Sequence, residues 1–217
     1  MINIYKIIFI VIWISFILIF SFVSKKYFPK QKELGRKIIH IGIGPLIPFA
    51  LWAEIPEYFV IPISLGITCS LIINYKFRFL SLLEDIERNS FGTISYASSI
   101  TILFILFWKE SPYAVISGVL VMAFADGLAG LLGRYFKSPH WQILGQNKSI
   151  IGTFTMASVT FFILLSLIIT SGSELNITKI IFVTLLTTAI EQCSPLGIDN
   201  ITVPLTVGYS WSWMINI

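Results

Sequence analysis

The sequence predicts an all-α fold: a polytopic transmembrane helix bundle of about seven helices plus a C-terminal partial or eighth helix, with its N-terminus outside. Three observations predict it. Hydrophobic residues make up 56% of the 217 positions and charged residues only 12%. The apolar positions fall in blocks close to the roughly twenty residues that cross a bilayer core. Basic residues are spread unevenly over the connecting segments, which orients the bundle.

The first apolar block spans 2–23. It is too long for a signal-peptide core, and the SFVSKK stretch at its end offers no small-residue cleavage site, so residues 1–23 are expected to stay as an anchor. Further blocks predict helices at 34–52, 55–75, 91–108, 112–132, 149–171 and 176–195. A weaker apolar tail at 201–217 predicts an eighth or half-buried helix. No long polar segment divides the chain, so 1–217 reads as a single membrane domain. Cys69 and Cys193 fall in apolar helices; they match neither a disulfide framework nor a zinc site, and core packing is their expected role.

Segments 24–37, 76–90 and 133–148 carry twelve of the fifteen Lys and Arg residues, leaving Lys6, Lys109 and Lys179 for the opposite side. The positive-inside rule makes the richer side cytoplasmic. That bias, with attraction to anionic lipid headgroups, accounts for the net charge of +4 without nucleic acid.

Within this apolar frame a few ionisable residues stand out. Asp126 ends a long uncharged run in AVISGVLVMAFADGLAGLLGR. A carboxylate deep in a membrane helix costs roughly 2.5 to 3.5 kcal/mol on insertion scales and marks a functional path more often than a structural one. Ala129, Gly130 and Gly133 follow on the same helical face, which leaves room beside the acid. Small-xxx-small helix packing through Ala125, Ala129 and Gly133 accounts for the glycines but not for the acid.

Downstream, Lys148 and Ser149 stand where the next helix begins. Free amides, a hydroxyl cap and an ammonium there suit an anion, although the glycine that a P-loop needs directly before its lysine is missing. An interfacial lysine beside an ordinary cap is the alternative. Glu191 lies in the last apolar turn of its helix and Asp199 eight residues on, past Pro195 and Gly197. On the chosen topology both share the depth of Asp126, and magnesium on a nucleotide takes one or two such carboxylates. Arg36, Lys37 and His40 form a cationic group at the second helix entrance, one turn deeper than topology requires.

Together these stretches resemble the phytol kinase and dolichol kinase family, membrane enzymes that phosphorylate lipid alcohols with CTP. The resemblance covers about 33–205 and rests on RKIIH at 36–40, ERNSFGT at 87–93, ADGLAGLLGR at 125–134, KSIIGT at 148–153 and EQCSPLGIDNITVPL at 191–205. The extra membrane region typical of dolichol kinases is missing, which favours an isoprenoid alcohol such as phytol, geranylgeraniol or farnesol. Where the family often has a further glycine this chain has YFKSP, so the loop at 135–139 is expected to be stiffer.

By resemblance Arg36, Lys37, Asp126, Gly133, Lys148, Glu191 and Asp199 belong to the nucleotide and phosphate site. His40, Gly127, Gly130, Ser149 and Asn200 complete the expected binding set. Asp126 and Asp199, with Glu191 as a further candidate, would hold Mg2+ on CTP. Lys148, Arg36 and Lys37 would neutralise the triphosphate, and Glu191 would orient or deprotonate the lipid hydroxyl, while the glycines let the nucleotide approach the helix. The expected partners are the bilayer, CTP and the lipid alcohol, with a homo-oligomer left open. The site is expected on the cytoplasmic face of a prokaryotic cell membrane or a related internal membrane. Two rival functions share some of these features: a cytidylyltransferase making a CDP-lipid, and a small transporter. The absence of an inverted repeat and the clustering of the acids near one face count against transport.

Overall fold

A computed structural model describes residues 4–29, 31, 33–77 and 91–215, and among them eight helical rods form an up-and-down bundle. The first rod is α1 (Ile4–Tyr27). The second is split into α2 (Leu34–Ile43) and α3 (Leu46–Trp52) at Gly44 and Pro45, because a proline lacks the amide that would continue the ladder. Then come α4 (Glu57–Phe77) and α5 (Gly92–Phe107). The fifth rod runs through α6 (Pro112–Leu120), a π-helical segment (Val121–Asp126) and α7 (Gly127–Tyr135). It is followed by α8 (Ile150–Ser171), α9 (Ile177–Gln192) and α10 (Asp199–Met214). Five rods are long and apolar enough to cross a membrane: Ile4–Tyr27, Leu34–Trp52, Glu57–Phe77, Pro112–Tyr135 and Ile150–Ser171.

The rod of α6 and α7 is the axis of the bundle, 67% buried along its apolar window against 17% for α1 at the periphery. Its residues join both cores. One core holds Val121, Ala125, Met156, Val203 and Trp211 from α6 to α10, and the other holds Ile47, Val60, Leu103, Val115 and Val119 from α3 to α6. The tail, expected as a partial or an eighth helix, is a full eighth rod whose Val203, Val207 and Trp211 fill the centre. Glycines let α10 come this close. A Cβ on Gly118 of α6 would lie 2.5 Å from the Pro204 carbonyl oxygen, and one on Gly208 of α10 would lie 2.6 Å from Leu103 Cδ2.

Two expectations need correction. Part of the loop between α7 and α8 is an antiparallel hairpin, β1 (His140–Ile143) and β2 (Gln146–Ser149), with His140 opposite Ser149. Leu144 and Gly145 turn it with φ of 47° and 76°, the left-handed conformation that a two-residue hairpin needs. Leucine in place of Asn or Gly hides that turn from sequence inspection. The second correction concerns Cys69 and Cys193, which are exposed and do not pack the core. Cys69 points outward from α4, and Cys193 lies just past the end of α9. Finally, the 87–90 part of the ERNSFGT motif, with its expected but unassigned role, lies outside the described residues, while Gly92 opens α5.

Candidate functional site

Asp126 closes the π-helical segment and is buried against α2. Lys37 Nζ donates to Asp126 Oδ2 at 2.8 Å and approaches the Asp126 main-chain oxygen at 3.4 Å. His40 Nε2 lies 3.3 Å from the same Oδ2 and 2.8 Å from the Met122 main-chain oxygen. The Tyr96 hydroxyl donates to the His40 carbonyl at 2.7 Å, and the two rings sit 4.3 Å apart. A buried carboxylate survives only with such partners, since an unpaired one would leave its desolvation cost uncompensated. The cationic group expected at 36–40 is therefore divided. Lys37 and His40 serve Asp126, whereas Arg36 faces Glu33 at 3.2 Å.

The glycines after Asp126 make this docking possible. A Cβ on Gly127 would strike Ile41 Cγ1 at 2.5 Å, and one on Gly130 would meet Lys37 Cε at 3.0 Å. On Gly133 it would come within 2.7 Å of Ser149 Oγ and 3.2 Å of Gly152 Cα. The ladder brings α2 and α8 against α7, in keeping with its small-residue spacing. The room beside Gly127 is filled by Ile41, and Gly127 is not among the cavity-lining residues, so the expected approach of a nucleotide to that glycine is corrected; Gly130 and Gly133 do line the cavity.

Opposite Asp126, β2 delivers Lys148 to α9. Its Nζ lies 2.5 Å from Glu191 Oε1 and 2.9 Å from the Glu191 carbonyl. Gln192 Nε2 donates to Glu191 Oε2 at 2.7 Å and to Thr153 Oγ1 at 3.0 Å. Ser149 caps α8 as its position predicts, its Oγ accepting from the Gly152 amide at 3.1 Å. That contact already engages the hydroxyl expected to help hold phosphate.

Asp199 arrives at the first turn of α10, after a bend in which Leu196 and Gly197 have φ of 56° and 86°. Its Oδ1 accepts from the Asn200 amide at 2.9 Å, and Asn200 Nδ2 donates to the Gly92 carbonyl at 3.1 Å. The result is convergence of three rods: carboxylate oxygens of Asp126, Glu191 and Asp199 all lie within 4.8 Å of one another. Three hard oxygen donors suit a divalent cation, since metal–oxygen bonds of about 2.1 Å place neighbouring ligand oxygens about 3 to 4 Å apart.

The three acids open into a cavity of about 600 Å³. Arg36, Lys37, His40, Lys148, Ser149 and Asn200 also line it, so Gly127 is the one expected site residue left out. Sequence reading missed Glu33, Arg134 and Gln192 in the same lining. Glu33 Oε2 accepts from Arg134 at 2.6 Å as well as from Arg36, so one carboxylate holds two guanidiniums at the mouth. Arg134 follows Gly133 and Gln192 follows Glu191, so adjacency to a suspected site residue was the signal available for both.

Comparison with known proteins sets this arrangement in a family, although no family model and no solved structure matches the chain. Phytol kinase of Synechocystis sp. is 35% identical over 179 residues, which cover 80% of this chain and 76% of that protein. Probable phytol kinase 3, chloroplastic, of Glycine max is 28% identical, over 90% of this chain and 67% of its own length. Phytol kinase 1, chloroplastic, of Arabidopsis thaliana is 27% identical over 81% of this chain, which spans 64% of that protein. By its similarity to the Synechocystis protein, which runs through most of both sequences, the chain belongs to the phytol kinase family.

Proposed function

We propose that this protein is a membrane-embedded kinase that transfers the γ-phosphate of CTP to the hydroxyl of a lipid alcohol. The observation that carries the reading is the meeting of three carboxylates and two lysines in one cavity at one end of an apolar bundle, in a chain similar to proteins named phytol kinase. The lipid-alcohol kinase activity is supported by those relatives. CTP as donor and an isoprenoid alcohol such as phytol, geranylgeraniol or farnesol as acceptor follow from the resemblance of the motifs. The charge bias of the connecting segments supports a cytoplasmic mouth for the cavity.

Phosphoryl transfer asks a protein for positioning and charge neutralisation more than for covalent chemistry. Mg2+ held by Asp126, Glu191 and Asp199 would supply charge neutralisation on the phosphates. Arg36 and Arg134, gathered by Glu33 at the mouth, present positive charge to an entering triphosphate. Lys37 and Lys148 stand deeper, beside the carboxylates. Both oxygens of Glu191 are engaged, Oε1 by Lys148 and Oε2 by Gln192. A substrate hydroxyl that gives its proton to Glu191 would have to reach a lone pair left beside those contacts or displace one of them.

Label position tests the reading. With purified protein, γ-labelled CTP is expected to pass its label to phytol, geranylgeraniol or farnesol, while α-labelled CTP leaves the lipid unlabelled. Recovery of α-label in lipid, with release of pyrophosphate, would establish a CDP-lipid synthase instead.

A further inference from the structure

The charges around the three carboxylates bear on which form of nucleotide the cavity accepts. Asp126, Glu191 and Asp199 stand within 4.8 Å of one another, but only two ammonium groups face them: Lys37 at 2.8 Å from Asp126 and Lys148 at 2.5 Å from Glu191. The two contacts are built alike. Each lysine also approaches the main-chain oxygen of the residue whose carboxylate it holds. Asp199 makes no direct ion pair among the described residues and feels both lysines only at longer range; its Oδ1 accepts from the Asn200 amide. The four paired side chains are only 9 to 11% exposed, so these charges act on one another with little screening by water.

We infer that Lys37 and Lys148 are specificity-determining residues that make the site take a divalent cation and a nucleoside triphosphate as a unit. Each lysine leaves its carboxylate for a phosphate oxygen as the cation takes the carboxylate. The inference rests on the kinase reading above, and its physical basis is charge. A cation arriving alone must evict two ammonium groups or sit beside them. A metal-free triphosphate arriving alone meets three carboxylates, and the lysines facing it are already engaged. When both arrive together the cation replaces the ammonium groups on the carboxylates and the ammonium groups move to the phosphates, so each acidic group keeps a cation close by, which neither ligand achieves alone.

The geometry distinguishes the groups that move from those that stay. A lysine carries a point charge on a flexible stem, able to change partners. The stem of Lys37 runs across Gly130, where an added Cβ would lie 3.0 Å from Cε and 3.2 Å from Nζ, so its path exists because that position has no side chain. His40 is held instead by the Met122 carbonyl and against Tyr96. It remains behind Asp126 as a positioning residue and does not follow the phosphate. Departure of Lys148 also frees Glu191 Oε1, the oxygen that the resting site keeps engaged.

The test is a binding cycle on the purified protein, with Mn2+ as the metal probe: Mn2+ alone, CTP with chelator, and the two together. In the unmodified protein each ligand is expected to bind about tenfold or more tightly when the other is present. Lys37→Gln and Lys148→Gln should each tighten Mn2+ alone by about tenfold and weaken CTP in the presence of Mn2+ by a similar factor. These opposite signs separate partner exchange from a damaged fold, which weakens both. Independent binding of Mn2+ and CTP in the unmodified protein overturns the inference without any variant. So does Mn2+ binding that is unchanged or weakened in both Gln variants. If the unmodified protein binds neither ligand under any condition, the kinase reading falls first and takes the inference with it.

Discussion

Asp126 carries the most consequence of any single residue, and the structure changes what its replacement should do. From the sequence, Asp126→Asn removes a costly charge and is expected to cut activity by orders of magnitude while sparing the fold. In the folded protein it strands the buried Lys37 ammonium 2.8 Å away. Removing one partner of a buried pair costs on the order of 3 to 5 kcal/mol, so the single variant should lose stability as well as activity. Asp126→Asn combined with Lys37→Gln should recover much of that stability, read as the melting temperature in detergent, while activity stays down by about two orders of magnitude or more. A double variant that regains activity with its stability would make Asp126 a structural acid. The acid was legible in the sequence because its cost is a property of one residue in an apolar run. Its partner was not, since Lys37 stands 89 positions earlier and helical periodicity speaks only of near neighbours. A separation of 43 positions hid the link between Lys148 and Glu191 in the same way, although both residues were suspects on their own.

Among the elements, α10 depends on close backbone approach to α6. Gly118→Ala would set its Cβ 2.5 Å from the Pro204 carbonyl oxygen, a backbone atom that cannot swing aside. The expected cost is about 1 to 3 kcal/mol of overpacking, with a fall in activity because α10 carries Asp199. Gly66→Ala is the matched control: nothing lies within 4 Å of the added Cβ on α4, so melting temperature and activity should hold or rise slightly. A Gly118→Ala protein as stable and active as the control would show that this contact yields easily. Helix existence was legible because apolar block length reports bilayer thickness, and seven blocks predicted seven of the rods closely. The break between α2 and α3 carried a mark, Gly44 and Pro45, that the length of the apolar block masked. Two features were not legible: the π-helical segment has no compositional mark, and the hairpin strands are short, partly polar and joined by Leu144 and Gly145.

At the scale of the whole molecule, connectivity puts the ends of α9 and α7, the hairpin and the starts of α2, α8 and α10 around one cavity, while Lys6, Lys109 and Lys179 make their contacts at the other end. With both native cysteines replaced, a cysteine at Ser138 should react with an impermeant reagent only from the cytoplasmic side and one at Ser173 only from the outer side. Restoring Cys193 alone should reproduce the Ser138 pattern, since it is exposed just past α9. Labelling of Ser138 and Ser173 from the same side would break this topology. The order of the parts along the chain has a consequence of its own. Lys37, Asp126, Lys148 and Glu191 all precede the bend at 196–197, and only then does α10 bring Asp199 and wedge Trp211 into the core. During translation, therefore, all five rods long and apolar enough to cross a membrane are made before the third carboxylate. A nascent chain halted before that bend would carry most of the residues that line the cavity but not Asp199.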